Sequence, residues 1–258
     1  MIDVNVHLSR WPFRRLNGDE PGKLMSTLNR EKVEQAWVCS FDAMLHRDME
    51  GVNRRLVADC QAHGRGILIP FGCVNPTLPD WEEDLRRCKE VHRMPGVRLY
   101  PNYHQYSLEE RAFVRLLELA DARNLLVQIV VAMEDERTQH PLVRVPPVDV
   151  MPLTKILTKL PTLPVCVLNG LGVLNVDQCQ QLVTAGNVHF DIAMLEGTGG
   201  IRRWLDRLPF QRLLFGSHFP FFYFQSATLK MLESEIAIPE QKAISRENAQ
   251  RLLGISKP

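Results

Sequence analysis

The sequence predicts an α/β chain folded as a (β/α)8 barrel with a helical extension at its C-terminal end, read as one domain over residues 1–258. Three observations predict it. Short apolar runs alternate with longer stretches of helical periodicity, and eight such strand–helix units follow one another along the chain. The length of 258 residues matches the roughly 250 residues typical of such a barrel. An open sheet of eight strands usually carries a nucleotide-binding turn, and Gly170-Leu171-Gly172 and Gly197-Thr198-Gly199-Gly200 match neither GxGxxG nor GxxxxGK[ST].

Each element follows from local pattern. The opening Ile2-Asp3-Val4-Asn5-Val6-His7 alternates, so its apolar residues face one side and Asp3, Asn5 and His7 the other. A helix over 21–31 leads to a second strand at 35–40, QAWVCS. Residues 48–63 carry Val52, Leu56 and Cys60 at helical spacing and end in Gly64 and Gly66, ahead of a third strand over 67–74. The beat continues with a charged amphipathic helix over 78–93, strand four at 96–100, a helix over 108–123 and strand five at 125–131. Helix 152–160, strand six at 163–168, helix 176–185 and strand seven at 188–193 come next. A short helix over 199–208 precedes strand eight at 212–215, and helices over 225–235 and 240–253 close the chain. The longest irregular stretch, 134–150, is rich in Pro, Arg and His and follows strand five.

Charge and cysteine usage narrow the partners. A formal net charge of +1 from 31 basic and 30 acidic residues offers no strong field, which argues against nucleic acid and against an anionic membrane surface. No run approaches the roughly 18 apolar residues of a membrane span, and the six cysteines form no CxxC pair. The chain therefore reads as cytoplasmic, with a small molecule as its partner and a homo-oligomer as an open option.

Closing a barrel sets strand one beside strand eight, and the polar residues then collect at the strand ends where barrel chemistry is done. Asn5 and His7 follow strand one. Arg98, Tyr100 and His104 lie at and after strand four, Glu134, Arg137 and His140 in the loop after strand five, Asn169 after strand six and His218 after strand eight. Arg98, flanked by apolar residues, is expected to point inward and to need a carboxylate, either a protein group such as Asp191 or that of a substrate. Two readings of His7 and His218 stand side by side. They act on a substrate, or they bond to each other and to backbone in a plugged barrel mouth. Glu134 and Arg137 read equally as a solvated surface run, and His104 as a cap of its own loop.

These residues also carry a resemblance. The opening D-x-N-x-H, the segment GVRLYPNYH, the loop HPLVRVPPVD, the turn FGSHFP and the terminal ENAQRLLGI resemble the amidohydrolase-related family, metal-dependent hydrolases and decarboxylases on a TIM barrel. The resemblance implies a divalent metal held by an HxH pair on strand one, a histidine ending strand five, another at strand six and an aspartate ending strand eight. This chain has Asn5 for the first histidine, Val130 at strand five, Asn169 at strand six and His218 for the aspartate. Only His7 matches. A single zinc, manganese or iron ion, weakly bound, would have to use His7 and His218 with a third donor from His104, Glu134 or His140.

The expected function is thus a hydrolase or decarboxylase acting on a small carboxylated or carbonyl-containing molecule in the barrel mouth. His7, His218, His104 and Glu134 are its catalytic candidates. Asn5, Arg98, Tyr100, Arg137, His140 and Asn169 are its substrate-binding candidates. A metal-free binder or sensor on the same barrel, and an inactive scaffold using the aromatic stretch 219–224, are the alternatives.

Overall fold

A computed structural model describes residues 1–254. Eight parallel strands surround a common axis: β1 (Ile2–Leu8), β2 (Gln35–Ser40), β3 (Leu68–Pro70), β4 (Gly96–Leu99), β5 (Leu126–Val130), β6 (Val165–Leu168), β7 (Val188–Asp191) and β8 (Leu213–Leu214). They form two continuous sheets, β1-β2-β3 and β4-β5-β6-β7-β8. Single parallel bridges join the sheets on both sides, Gly72 with Val97 and Val6 with Phe219. Backbone bonds from Val4 N to Phe215 O (3.0 Å) and from His7 N to Phe219 O (2.9 Å) complete the closure, so strand one does lie beside strand eight.

The helices between strands are α1 (Pro21–Arg30), α2 (Met49–His63), α3 (Trp81–Glu90), α4 (Arg111–Ala122), α5 (Leu153–Leu157), α6 (Val176–Ala185) and α7 (Gly200–Leu205). α8 (Phe224–Glu233), α9 (Ile238–Lys242) and α10 (Asn248–Leu252) follow the last strand. Their starts are set by caps: Asp48 accepts from Gly51 N at 2.8 Å, and Asn175 and Gln178 form a reciprocal capping box ahead of α6. Their buried faces meet the outward side chains of the strands in one extensive core, and a second cluster fills the barrel axis with Trp37, Phe71, Val130 and Leu168 among others.

Several boundaries differ from the sequence expectation for visible reasons. α4 starts at Arg111 rather than 108, because Ser107 N bonds to Glu110 Oε1 (2.8 Å) and holds 107–110 as a turn. α5 stops at Leu157, shortly before Pro161 and Pro164. The helix expected over 240–253 is interrupted by a π-helical turn at Ala243–Glu247, where the Ile244 carbonyl accepts from Phe215 N at 2.9 Å. β8 keeps only two residues because Phe210–Arg212 coil into a helical turn. All six cysteines are free and buried.

Among the described residues, no helix is long and apolar enough to cross a membrane.

Candidate active site at the barrel mouth

β1 carries an irregularity between Asp3 and Val6 in its pairing with β2. Arg98 uses the carbonyls nearby. Its Nε donates to Gln128 Oε1 (2.7 Å), one terminal nitrogen to Val6 O (2.9 Å), and the other to Val4 O and Trp37 O (3.0 Å each). A fifth contact runs from Arg98 to His7 Nε2 at 3.3 Å. A guanidinium has five N–H groups, and all five are used. The expected carboxylate partner is therefore corrected: Arg98 is neutralised by carbonyl dipoles converging from β1 and β2, and it keeps no donor for a substrate anion.

Asn5, Asn169 and Asp191 form a second buried cluster. Asn5 Nδ2 donates to Asn169 Oδ1 and to Asp191 Oδ2, both at 2.8 Å. Asn169 N donates to Asp191 Oδ1 at 2.6 Å, and Asn169 Nδ2 to Ala132 O at 2.7 Å. Asn169 adopts φ +59, a left-handed turn that asparagine tolerates and that brings its own N–H onto the carboxylate. Gly216 makes room for the group, since a Cβ there would lie 2.4 Å from Asp191 Oδ2. Burial raises the Asp191 carboxyl, and the hydrogen bonds from Asn5 and Asn169 oppose it.

Beside this cluster lie the two histidines, both 0% exposed, so neither meets solvent in this conformation. His7 stacks on Phe41 (centroids 4.8 Å, planes 4° apart) and meets His218 edge to face at 5.4 Å. His218 stacks on Phe221 at 5.0 Å and 5°. Its φ of +56 is unusual for a non-glycine residue, though histidine is enriched there. Burial drives both imidazoles toward neutrality, His7 well below its ordinary value with the Arg98 and His218 charges adding, and His218 down to about 4 with Arg98 and Lys230 adding.

The hydrogen bonds assign the tautomers. His218 Nε2 sits 2.6 Å from Met133 O, an acceptor, so Nε2 carries the proton and Nδ1 is a bare lone pair. His7 Nε2 faces an Arg98 N–H, a donor, so its proton lies on Nδ1. Both Nδ1 atoms, and Asn5 Oδ1, are buried without a protein partner.

The other candidates fall elsewhere. Tyr100 is buried between the rings of His7 (6.4 Å) and His104 (6.3 Å). His104 donates from Nε2 to Ala43 O at 2.9 Å, and burial lowers its pKa; it fixes the strand-two loop and does not reach the histidine pair. Glu134 accepts from Arg14 at 2.7 Å, and Arg14 also lies over the Phe221 ring. Arg137 pairs with its neighbour Asp135, and its side chain is 86% exposed, which corrects its placement as a substrate ligand. His140 stacks on Phe13 at 5.3 Å in the exposed part of its loop.

The family's implied metal is therefore poorly served by these residues. Among the described residues no three His, Cys, Asp or Glu side chains converge on one point. His104, Glu134 and His140 are each committed away from His7 and His218, so the three-donor site expected from the sequence is corrected. The Asn5 amide spends its hydrogens on Asn169 and Asp191 and leaves only a neutral oxygen free, and the Arg98 cation adjoins His7.

An open cleft of about 920 Å³ flanks the mouth, formed by the loops after β5, β6 and β7 and by α8. Phe221 is the common wall: one face stacks on His218 and the residue also lines the cleft. Trp11 packs against Phe221 (4.9 Å) and Phe41 (5.6 Å), closing the axial route. The sequence reading missed Arg14, Ser217 and Lys230. Lys230 was legible as a charge three residues after Ala227 on a helix face that otherwise packs inward, though nothing local placed that face at a cleft.

Eight parallel strands with their polar groups gathered at one rim define a TIM-barrel protein. The chain belongs to the amidohydrolase family, whose model matches residues 38–255. No curated protein matches it in sequence. Among solved structures it is similar to the 2,6-dihydroxybenzoate decarboxylase from Rhizobium (TM-score 0.71, 13% identity, 98% of this chain and 99% of that one). It is also similar to a dihydroxybenzoic acid decarboxylase from Polaromonas with bound manganese and 2-nitroresorcinol (0.72, 12%, 99% and 98%). A third is a probable 2-pyrone-4,6-dicarboxylic acid hydrolase from Acinetobacter baumannii with citric acid bound (0.69, 15%, 98% and 98%). Those likenesses establish the fold.

Proposed function

We propose that this chain is an acid–base hydrolase or carbon–carbon lyase acting on a small carbonyl-containing molecule that approaches through the cleft beside Phe221. The observation that carries this reading is the complementary protonation of the two histidines: His218 Nδ1 is a buried lone pair and His7 Nδ1 a buried N–H, on rings whose centroids lie 5.4 Å apart and without protein partners. A neutral imidazole whose pKa is held low remains a base at pH 7, and an adjacent imidazole N–H can donate to a developing oxyanion. Family membership, and the decarboxylase and probable hydrolase among the similar structures, support the reaction class. Entry requires the Phe221 ring to turn off His218.

The test is turnover by wild type, His218→Asn and Phe221→Ala of a panel of neutral lactones, esters and aryl carboxylic acids. The proposal expects His218→Asn to lower kcat by about 10²–10⁴-fold. A wild type that turns over nothing that His218→Asn does not would overturn it. The filled axis, with Trp11, Phe41 and Phe221 in mutual contact, favours a second reading as a ligand-binding protein. That reading is kept if the panel binds without turnover.

A further inference from the structure

The cleft holds an amine that the histidine pair does not use. Lys230 rises from α8 into its wall, half-buried, with Nζ within hydrogen-bonding distance of the Ala193 carbonyl and 3.3 Å from that of Ile192. No carboxylate is salt-bridged to it among the described residues, although Asp191, Glu196 and Glu233 lie close enough to act on its charge. A neutral amine has two hydrogens and one lone pair. Two carbonyls can accept both hydrogens, which leaves the lone pair for the remaining direction, toward the cleft that Lys230 lines. Met194, Leu195, Phe222 and Val173 line the same cleft and offer apolar surface to an organic body, while the five carboxylates that also line it disfavour an anionic one.

We propose that Lys230 is a carbonyl-capturing lysine that forms an imine with a neutral aldehyde or ketone bound in this cleft. The amine lone pair attacks the carbonyl carbon, the C=O π electrons go to oxygen, and the resulting carbinolamine loses that oxygen as water. Both amine hydrogens leave with it, so that C=O and NH2 become C=N and H2O without oxidant or reductant. Burial lowers the basicity of the lysine, ahead of the opposing carboxylate charges, and so favours the free amine the step requires. Glu196 and Glu233 line the same cleft.

The experiment traps the imine in the full chain with benzaldehyde and cyanoborohydride at neutral pH, followed by peptide mass mapping. The expected result is a benzyl adduct at Lys230 exceeding that at the exposed Lys23 and Lys159 by about tenfold or more. Lys230→Arg keeps donors for the two carbonyls but cannot form the imine, so it should lose this adduct and retain the surface ones. His218→Asn should keep it, which separates this inference from the histidine reading. Equal labelling of Lys230 and the surface lysines in wild type overturns the proposal, whether or not the variants fold.

Discussion

His7 and His218 lie edge to face with ring centroids 5.4 Å apart, and they carry opposite protonation at Nδ1 because one ring faces a guanidinium donor and the other a carbonyl acceptor. Neighbouring groups that differ in this way are what distinguishes an acid from a base in one site. The expected outcome in ¹⁵N NMR at pH 7 is a protonated Nδ1 on His7 and a protonated Nε2 on His218. On acidification His218 should stay neutral until the pH nears 4, far below the ordinary histidine range. A His218 signal titrating near pH 6.5 would contradict the burial that the site depends on.

Arg98 gives the second expectation. Its five N–H groups are the partners of Gln128, His7 and three main-chain carbonyls inside the barrel. Arg98→Met removes them and leaves buried acceptors unsatisfied, at a cost of about 3–5 kcal/mol. Chemical denaturation should show that loss in the midpoint at an unchanged slope, and a variant within about 0.5 kcal/mol of wild type would mean that water replaces the guanidinium.

How far the sequence announced these contacts depends on their range. The strands, the rim and the meeting of His7 with His218 were legible, because each rests on local periodicity and on one closure rule. Arg98 was legible as inward-facing but not in its partners, since carbonyls carry no side-chain signature and were turned to it by an irregularity in β1. The Asn5–Asn169–Asp191 cluster joins residues far apart in the chain: Asn5 and Asn169 were legible as amides at two ligand positions of the resemblance, and only the fold could show that they bond to each other and to Asp191. Strand eight, expected over 212–215, keeps Leu213 and Leu214, because Arg212 belongs to the helical turn Phe210–Arg212, which no local pattern announces.

Metal response is the third expectation. A ligand at a hundred times its Kd stabilises a folded protein by about 2.7 kcal/mol. Because the Arg98 cation adjoins His7 and, among the described residues, no third His, Cys, Asp or Glu side chain joins His7 and His218, millimolar manganese or zinc should leave the melting temperature of wild type unchanged, and a chelator should do the same. A shift that appears in wild type and disappears in His7→Ala would show that the mouth rearranges around an ion.

The last expectation concerns Asp3, which ties the first strand to the last: its Oδ2 accepts from Ser217 Oγ at 2.5 Å, and its Oδ1 from the backbone N–H of Asn5 and Ser217 at 3.0 Å each. Burial pushes its carboxyl from 3.8 up to about 7, and those same hydrogen bonds together resist the rise. The folded state therefore holds the Asp3 proton more tightly than the unfolded chain does. Its stabilising contribution is complete below the unfolded pKa near 4 and is lost as the pH rises through about 7, by linkage on the order of a few kcal/mol. His218 has the opposite sign, since its folded pKa of about 4 lies below the unfolded value of 6.5, and its contribution is lost on acidification through that window. The two trends partly cancel in wild type, so a single stability profile hides both. Subtraction separates them: the stability of wild type minus that of Asp3→Asn, measured by denaturant unfolding from pH 8 to pH 5, should rise as the pH falls. A difference that stays flat across that range would place the Asp3 carboxylate in its ordinary, ionised state and make the Ser217 contact an ion-to-hydroxyl bond instead.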